Sequence, residues 1–273
     1  MKKFVTFITA LLIACSFTKT VLADGHQIYG PYPITLKGYD GDKTNSVKYT
    51  GQMARHALHD SLKAVVKTGD VAKMMAYYNG EDGLAIVAPA SKGDFVIKQT
   101  MISEIGSGNL SGKMYKGYIP GWGNLTGPEA IEHMMAKAGE VEGGFDPNTG
   151  MDYTQLISKF AMGAVFYNQA VNSYLGSKME IGQKPNSEPY KEGAYYTGKE
   201  HSWDEAFGYW GSAAHALTLT AEQNYNVAKK KDMASADFNG DGVVDVLSLI
   251  HISEPTRLLS ISDGRVGVEK KRW

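Results

Sequence analysis

A short run near residue 240 carries the oxygen-bearing side chains that a calcium ion requires. Its donors at positions 1, 3, 5, 7 and 9 are Asp237, Asn239, Asp241, the carbonyl of Val243, and Asp245. A glycine at position 6 provides the sharp turn, and Ca²⁺ takes 6 to 8 hard oxygen ligands. The spacing therefore predicts an EF-hand-type calcium loop over residues 237–248. The alternative is an ion-free turn rich in Asp, Asn and Gly.

The calcium loop lacks the carboxylate expected at position 12, where this chain has Ser248. The run SLIHISEPTRL at 248–258 resembles a translated sequencing adaptor, and residues 248–273 are predicted to be a non-native tail. We therefore expect the loop to bind calcium weakly in this chain, and we expect the native C-terminus to supply the twelfth ligand. No chemistry is assigned to the tail.

A second candidate site consists of His201, Asp204 and Glu205. In a helix, residues three and four apart lie on neighbouring positions, so both carboxylates can reach the imidazole. The spacing predicts a ligand-binding or transition-metal site. The competing interpretation is a capping box in which Ser202 and Glu205 satisfy free backbone donors at a helix start.

A third candidate site pairs His56 with Asp60, which lie four residues apart beside His59. Both residues share a helix side with Lys63 and Lys67, a pattern typical of a solvated face. If this side packed against the helix of His201, imidazole and carboxylate ligands suited to iron, zinc or copper would meet.

Helical elements are predicted to position these residues. An apolar stripe from Ala54 to Val65 predicts a helix that begins near Thr50 and ends at Gly69. Asp70 is expected to cap a short second helix, and Pro128 to lie in the first turn of a third that Gly139 ends. The glycine-rich residues 106–127 are predicted to form a loop.

Two longer segments have apolar residues at alternating spacings of four and three. The first set is Tyr153, Ile157, Phe160, Ala164, Tyr167, Val171 and Tyr174, and the second is Trp203, Phe207, Trp210, Ala214 and Leu217. Such heptad patterns predict long helices that pack along these residues. The fold class expected is therefore mainly α: a helical bundle with Gly-rich loops and the C-terminal calcium loop.

The N-terminal residues predict export from the cytoplasm. Lys2 and Lys3 precede a short apolar run, and residues 1–23 have the features of a signal peptide. In an alternative interpretation, Leu12 to Cys15 form a lipobox and Cys15 is lipidated, which would be the one route to the membrane. The helical domain is placed at residues 24–247, in the periplasm or at the cell surface.

Composition excludes several classes of protein. The chain has 273 residues, of which 43% are hydrophobic and 21% charged, as in a globular fold. Residues 24–247 contain 20 basic and 26 acidic side chains, a net charge of −6. Nucleic-acid binding is not expected, because neutralising phosphates requires a basic surface.

Three runs resemble an uncharacterised family of exported bacterial proteins, the domain of unknown function 4856. They are Gly51-Gln52 with Arg55, MGAVFYNQA at 162–170, and WDEAFGY at 203–209. Gly198, His201 and Asp204 also resemble, distantly, the Gly-x-His-x-x-Glu motif of imelysin-like proteins. By association, the resemblance implies metal (iron) or nutrient uptake, with an outer-membrane receptor or an imelysin-like protein as partner.

We therefore expect an exported helical binding protein with a calcium loop, acting in metal or nutrient uptake. Two alternatives stay open. One is a structural or adhesive cell-surface module stabilised by calcium, and the other is a metal-dependent hydrolase of the imelysin-like type. A non-enzymatic role is the preferred interpretation.

Overall fold

A computed structural model describes residues 34–43, 46–87, 95–183, 185–211, 218–237 and 239–249. The predicted signal peptide with Cys15, and residues 250–273 of the predicted tail, lie outside the described residues. Within the described part, the chain is mainly α-helical, as expected.

Seven α-helices, one π-helix, five short 3₁₀ helices and four two-residue strands make up the regular structure of the described part. The helices are α1 (Thr50–Val66), α2 (Val71–Asn79), α3 (Gly127–Gly139), α4 (Tyr153–Ala161), the π-helix (Met162–Tyr174), α5 (Gly198–Trp210), α6 (Ala221–Ala228) and α7 (Met233–Ala236). The strands are β1 (Val96–Ile97), β2 (Phe145–Asp146), β3 (Met151–Asp152) and β4 (Val243–Val244). Strands β2 and β3 pair antiparallel, whereas β1 and β4 pair parallel.

The first three helices follow the predictions. The stripe of α1 is fully buried and packs against α2, α4 and α5. The Asp70 carboxylate accepts a hydrogen bond from the Lys73 amide at 2.9 Å and so caps α2. In α3, Pro128 occupies the first turn, and Thr126 and Glu129 form a capping box.

The predicted heptad pattern of residues 153–174 holds through α4 and at Ala164 and Tyr174, but not at Tyr167 and Val171. From Met162 onward the helix is of the π type, and the Leu175 amide bonds to the carbonyl of Ala170 five residues earlier. A wider turn rotates the later residues relative to a 3.6-residue helix. Tyr167 is consequently 61% exposed, and Phe166 is buried in its place.

The predicted packing face of α5 is wrong at both tryptophans, although Phe207 packs against the main core. Trp203 and Trp210 are 50% and 55% exposed, whereas Ala206 and Tyr209 are buried. Helix α5 nevertheless packs on the π-helix, with the Tyr209 and Phe166 ring centroids 6.2 Å apart. The expected pair of helices is therefore present, with a different contact face. Residues 212–217, which include Ala214 and Leu217, lie outside the described residues.

A smaller hydrophobic core joins the C-terminal elements to the rest of the molecule. Its buried residues are Val227, Met233, Ala236, Val244 and Leu249. The parallel pairing of β4 with β1 connects this core to the segment after α2. In the part of the chain that the structure describes, no helix combines the length and apolarity that crossing a membrane requires.

Candidate functional site

Helix α5 starts one turn earlier than the predicted cap at Ser202. Thr197 is the N-cap: its hydroxyl accepts from the Glu200 amide at 3.2 Å, and its amide donates to Glu200 Oε2 at 2.6 Å. This capping box uses the first suitable Thr and Glu pair, so the predicted box of Ser202 and Glu205 does not form. Asp204 and Glu205 therefore lie in the second turn, where their side chains contact other groups.

His201, Asp204 and Glu205, here called the acid–imidazole cluster, meet as their spacing predicts. His201 Nδ1 lies 3.3 Å from Asp204 Oδ1, and His201 Nε2 lies 3.5 Å from Glu205 Oε2. The first pair is close enough for electrostatic attraction but is not aligned for a hydrogen bond, since both atoms are buried without a hydrogen-bond partner. The imidazole therefore lies between two carboxyl groups without a good bond to either.

Asp204 is only 2% exposed, and this burial dominates its chemistry. Burial raises the pKa of the Asp204 carboxyl to about 7, although the His201 ring and the Lys48 amide oppose the shift. The Lys48 amide donates to Asp204 Oδ2 at 2.5 Å. Asp204 is consequently a carboxyl group that exchanges a proton near neutral pH.

Aromatic rings enclose the other side of the imidazole. The ring centroids of Tyr190 and Tyr196 lie 4.6 Å and 4.9 Å from that of His201. Burial raises the pKa of Tyr196 to about 12, so its hydroxyl stays protonated. These tyrosines hold the His201 ring in place beside its two carboxyl groups.

Glu205 connects α5 to α1 and to the π-helix. Its Oε1 accepts a hydrogen bond from Gln52 Nε2 at 2.9 Å. Burial and the Glu205 carboxylate together raise the pKa of Tyr174, whose hydroxyl bonds to Glu205. Gly208 allows α5 to approach the start of α1, because a Cβ at this position would lie only 2.6 Å from Tyr49 Cβ.

The histidines of α1 are buried, which contradicts the prediction of a solvated face. His56 Nε2 donates to the Gly208 carbonyl at 2.8 Å, and the His56 ring stacks on Phe166 at 4.4 Å. Burial lowers the pKa of His56 to about 3 and also lowers that of His59. Both rings are therefore neutral and serve the packing between helices.

Asp60, predicted to act with His56, points to a different partner. Its Oδ2 lies 3.3 Å from Lys230 Nζ in a partly exposed ion pair. His59 Nε2 instead lies 3.0 Å from the Ser158 carbonyl and 3.2 Å from the Ser158 hydroxyl. Because Nε2 must donate to the carbonyl, it cannot take a proton from the hydroxyl, and this buried pair is not a nucleophile with its base.

A second group of side chains, here called the cationic cluster, consists of Arg55, which lies beside Tyr209, and Lys113, on whose ammonium the charge of Arg55 acts. The Arg55 guanidinium carbon lies 5.8 Å from the Tyr209 ring centroid, and Arg55 Nε donates to the Asn109 carbonyl at 2.9 Å. Gln169 Nε2 donates to the Lys113 carbonyl at 2.9 Å. Sequence reasoning did not assign these residues to a site, although Gln52 and Arg55, three apart on α1, share one helix face.

The predicted calcium loop forms a tight turn. Both carboxylate oxygens of Asp237 accept backbone amides, from Gly240 and Gly242, each at 2.9 Å. Asp245 Oδ2 accepts from Gln99 Nε2 at 2.9 Å, so this residue anchors the loop to the segment containing β1. Nowhere in the described part do three or more His, Cys, Asp or Glu side chains form a group that could hold a metal ion.

The three sequence runs that carry the resemblance lie on α1, the π-helix and α5, and they meet where these helices pack together. Gln52 bonds to Glu205, and His56 bonds to Gly208. The ring of Phe166 contacts that of Tyr209. Residues 126–243 match the family described as Domain of unknown function (DUF4856). Over this stretch, the chain is similar to that family. The matched stretch contains the acid–imidazole cluster, whereas Gln52 and Arg55 precede it. The candidate site therefore combines residues of the matched stretch with residues of α1. No curated protein and no solved structure matches the chain.

Proposed function

We propose that this chain is an exported helical binding protein, a component of metal or nutrient uptake, and that its ligand binds at the acid–imidazole cluster. One observation carries the proposal. His201 Nδ1 and Asp204 Oδ1 both belong to this cluster, and both are buried without a hydrogen-bond partner in the described part. Because folded proteins bond almost all buried polar atoms, such a concentration of unsatisfied groups is typical of a site that a ligand completes.

The chemistry of the cluster favours recognition of a polar small molecule. An imidazole, a buried carboxyl and a half-buried carboxylate together offer donors and acceptors at fixed positions. The contacts of His201 with Tyr190 and Tyr196, and of Glu205 with Gln52, limit the movement of the ligating groups. Preorganised groups of this kind lower the entropic cost of binding.

The test uses the full chain purified without added ligand or chelator. Native mass spectrometry and metal analysis would identify what copurifies, and calorimetry would measure rebinding of that species, of ferrous and zinc salts, and of amino and organic acids. We expect His201→Ala and Glu205→Gln to weaken binding about tenfold or more, since hydrogen bonds to charged groups are lost.

The matched control is Glu132→Gln, the same chemical change on the exposed surface of α3. It should leave binding unchanged. Absence of any copurifying or rebinding species would contradict the proposal. So would a ligand whose affinity is the same in the wild type and in both site variants.

A calcium-stabilised cell-surface module is the second candidate function. The observation that favours it is the turn made by Asp237, which gathers loop amides and leaves Asn239 and Asp241 exposed on the same turn. If calcium binds, Asp237, Asn239 and Asp241 would hold it, and the ion would stabilise the loop that pairs β4 with β1. This candidate function is tested by measuring how calcium changes the stability of the C-terminal segment.

A further inference from the structure

Two polar atoms of the acid–imidazole cluster are closed off from water. His201 Nδ1 and Asp204 Oδ1 lie 3.3 Å apart, and both are buried without a hydrogen-bond partner in the described part. A ligand can bond to these atoms only after some part of the surrounding protein has moved. The elements around the cluster differ in how firmly they are attached, and this difference indicates which of them moves.

The segment of residues 34–43, here called the N-terminal arm, is weakly attached. None of its residues is buried, whereas α1, the π-helix and α5 each contribute buried side chains to the main core. The loop that carries Tyr190 is also exposed, but it is tied to the start of α5: the Tyr190 amide donates to the Tyr196 carbonyl at 2.9 Å, and Pro189 pairs with Thr197. Since segments with few buried contacts open before the rest of a protein, the arm is the element expected to move.

Two hydrogen bonds hold the N-terminal arm to α5. The amide and the hydroxyl of Thr35 donate to Glu200 Oε1 at 2.8 Å and 2.9 Å. Glu200 and Asp204 are four residues apart on α5, so the arm is attached to the face of the helix that carries the buried carboxyl. The other oxygen of Glu200 accepts the Thr197 amide in the capping box. The acceptor is therefore fixed, and Thr35 is the partner that can leave.

A row of aromatic rings continues from the N-terminal arm to the imidazole. The ring centroid of Tyr39, in the arm, lies 6.4 Å from that of Tyr195. The Tyr195 ring lies 5.1 Å from the Tyr196 ring, which lies 4.9 Å from the His201 ring. Departure of the arm would therefore remove the outermost ring of this row and uncover Tyr195.

The N-terminal arm folds on itself around the Tyr39 ring. The Tyr39 amide donates to the Leu36 carbonyl at 3.2 Å, and the Lys43 amide donates to the Tyr39 hydroxyl at 3.0 Å. Gly41 leaves room for the ring, because a Cβ at this position would overlap the Tyr39 hydroxyl. Because these bonds lie within the arm, it can leave α5 without losing them.

We propose that the N-terminal arm is a gate over the acid–imidazole cluster and that the bonds of Thr35 to Glu200 hold it closed. This inference rests on the proposed binding function and concerns how a ligand reaches that site. With the arm closed, the cluster is shielded from water. With the arm released, a small molecule can approach His201 past Tyr195.

The experiment measures the accessibility of His201 in the full chain. The probe is diethyl pyrocarbonate, which acylates accessible imidazoles, and mass spectrometry gives the rate at each histidine. Thr35→Val keeps the shape of the side chain and removes the hydroxyl that donates to Glu200. We expect this variant to speed acylation of His201 about fivefold, because a hydrogen bond to a charged group is lost. Tyr39→Leu, which removes the ring beside Tyr195, should act in the same direction.

Two other histidines serve as references within each sample. His133 is exposed and should react equally in all variants, whereas His56 is buried in the core and should stay slow unless the whole fold loosens. The matched control is Thr149→Val, which removes a hydroxyl that donates to Asp146 in the β2–β3 hairpin. It should leave the rate at His201 unchanged.

The inference is overturned if Thr35→Val leaves the rate at His201 as in the wild type. It is also overturned if His56 accelerates by the same factor as His201 in both arm variants, because the substitutions would then loosen the whole fold. An unchanged rate together with a ligand that depends on His201 and Glu205 would overturn the gate and preserve the proposed function. A faster rate at His201 in a chain that binds no ligand would support the gate and overturn the proposed function.

Discussion

The buried histidines of α1 make the stability of the molecule depend on pH. His56 has its pKa lowered to about 3 by burial, and the pKa of His59 is lowered for the same reason. The unfolded chain takes up protons at these rings below about pH 6.5, whereas the folded chain does not. The free energy of unfolding therefore falls as the pH drops from about 6.5 toward 3, by up to about 1.4 kcal/mol per pH unit for His56, and His59 acts in the same direction.

Asp204 acts in the opposite direction. Its pKa rises from 3.8 to about 7 in the folded state, so between these values the folded chain binds a proton that the unfolded chain has lost. Its contribution to stability is greatest at low pH and decreases as the pH rises toward 7. Part of the loss caused by the two histidines on acidification is thus offset at the candidate site itself.

The variant His56→Gln tests whether the buried imidazole of His56 destabilises the protein at acidic pH. Its amide can still donate to the Gly208 carbonyl but cannot titrate, so we expect lower stability at neutral pH and a flatter loss between about pH 6.5 and 4. Urea unfolding at several pH values would measure the stability at neutral pH and its decrease on acidification. The control variant is His133→Gln, which changes an exposed histidine. Parallel pH profiles for the wild type and His56→Gln would show that protonation of this ring does not limit stability.

Helices whose apolar residues recur with the 3.6-residue period of the α-helix were predictable from the sequence, whereas the π-helix was not. The α1 stripe and the caps at Asp70 and Thr126 follow local rules that a sequence displays directly. A π-helix has no comparable residue signature, and its wider turn replaces Tyr167 by Phe166 on the buried side. The acid–imidazole cluster lies within one helix and was predictable, whereas the cationic cluster requires the contact between distant elements.

The crossing of α1 and α5 depends on the absence of a side chain at position 208. In Gly208→Ala, the new Cβ would meet Tyr49 Cβ at 2.6 Å and Gln52 Cβ at 2.9 Å, neither of which is the flexible end of a side chain. We expect a loss of about 1–3 kcal/mol in the free energy of unfolding, as for other overpacked cores. Weaker ligand binding should accompany this loss, because Gln52 positions Glu205.

Denaturant unfolding of Gly208→Ala beside Gly163→Ala would check this expectation. A Cβ at Gly163 would have no atom within 4 Å, so that variant should be neutral or slightly stabilising. Equal effects of the two substitutions would mean that helix propensity, and not the close approach of α1 and α5, determines the outcome.

At the scale of the whole molecule, the loop at 237–245 is attached through the strand pair and Gln99, whereas Val246 and Leu247 beyond it are buried in the main core. The strands β1 and β4 contain two residues each, and Gln99 adds bonds to Asp245 and to the Val246 amide at 2.9 Å each. The small core around Val244 is distinct from the main core. Such weakly attached units open before the rest of a protein, so the stability of this segment responds to anything that binds its loop.

Calcium binding to the 237–245 loop would therefore be visible as a protection of this segment. If the ion binds with a dissociation constant tenfold below its concentration, the folded segment gains about 1.4 kcal/mol. Hydrogen exchange of the amides of Val244 and Lys98, the latter bonded to the Val244 carbonyl, should then slow about tenfold when calcium replaces a chelator. Asp241→Asn should abolish this protection, since it removes a carboxylate of the loop, while the exposed Asp82→Asn should preserve it. Equal exchange with calcium and with chelator would show that the loop is an ion-free turn closed by the hydrogen bonds of Asp237 and Asp241.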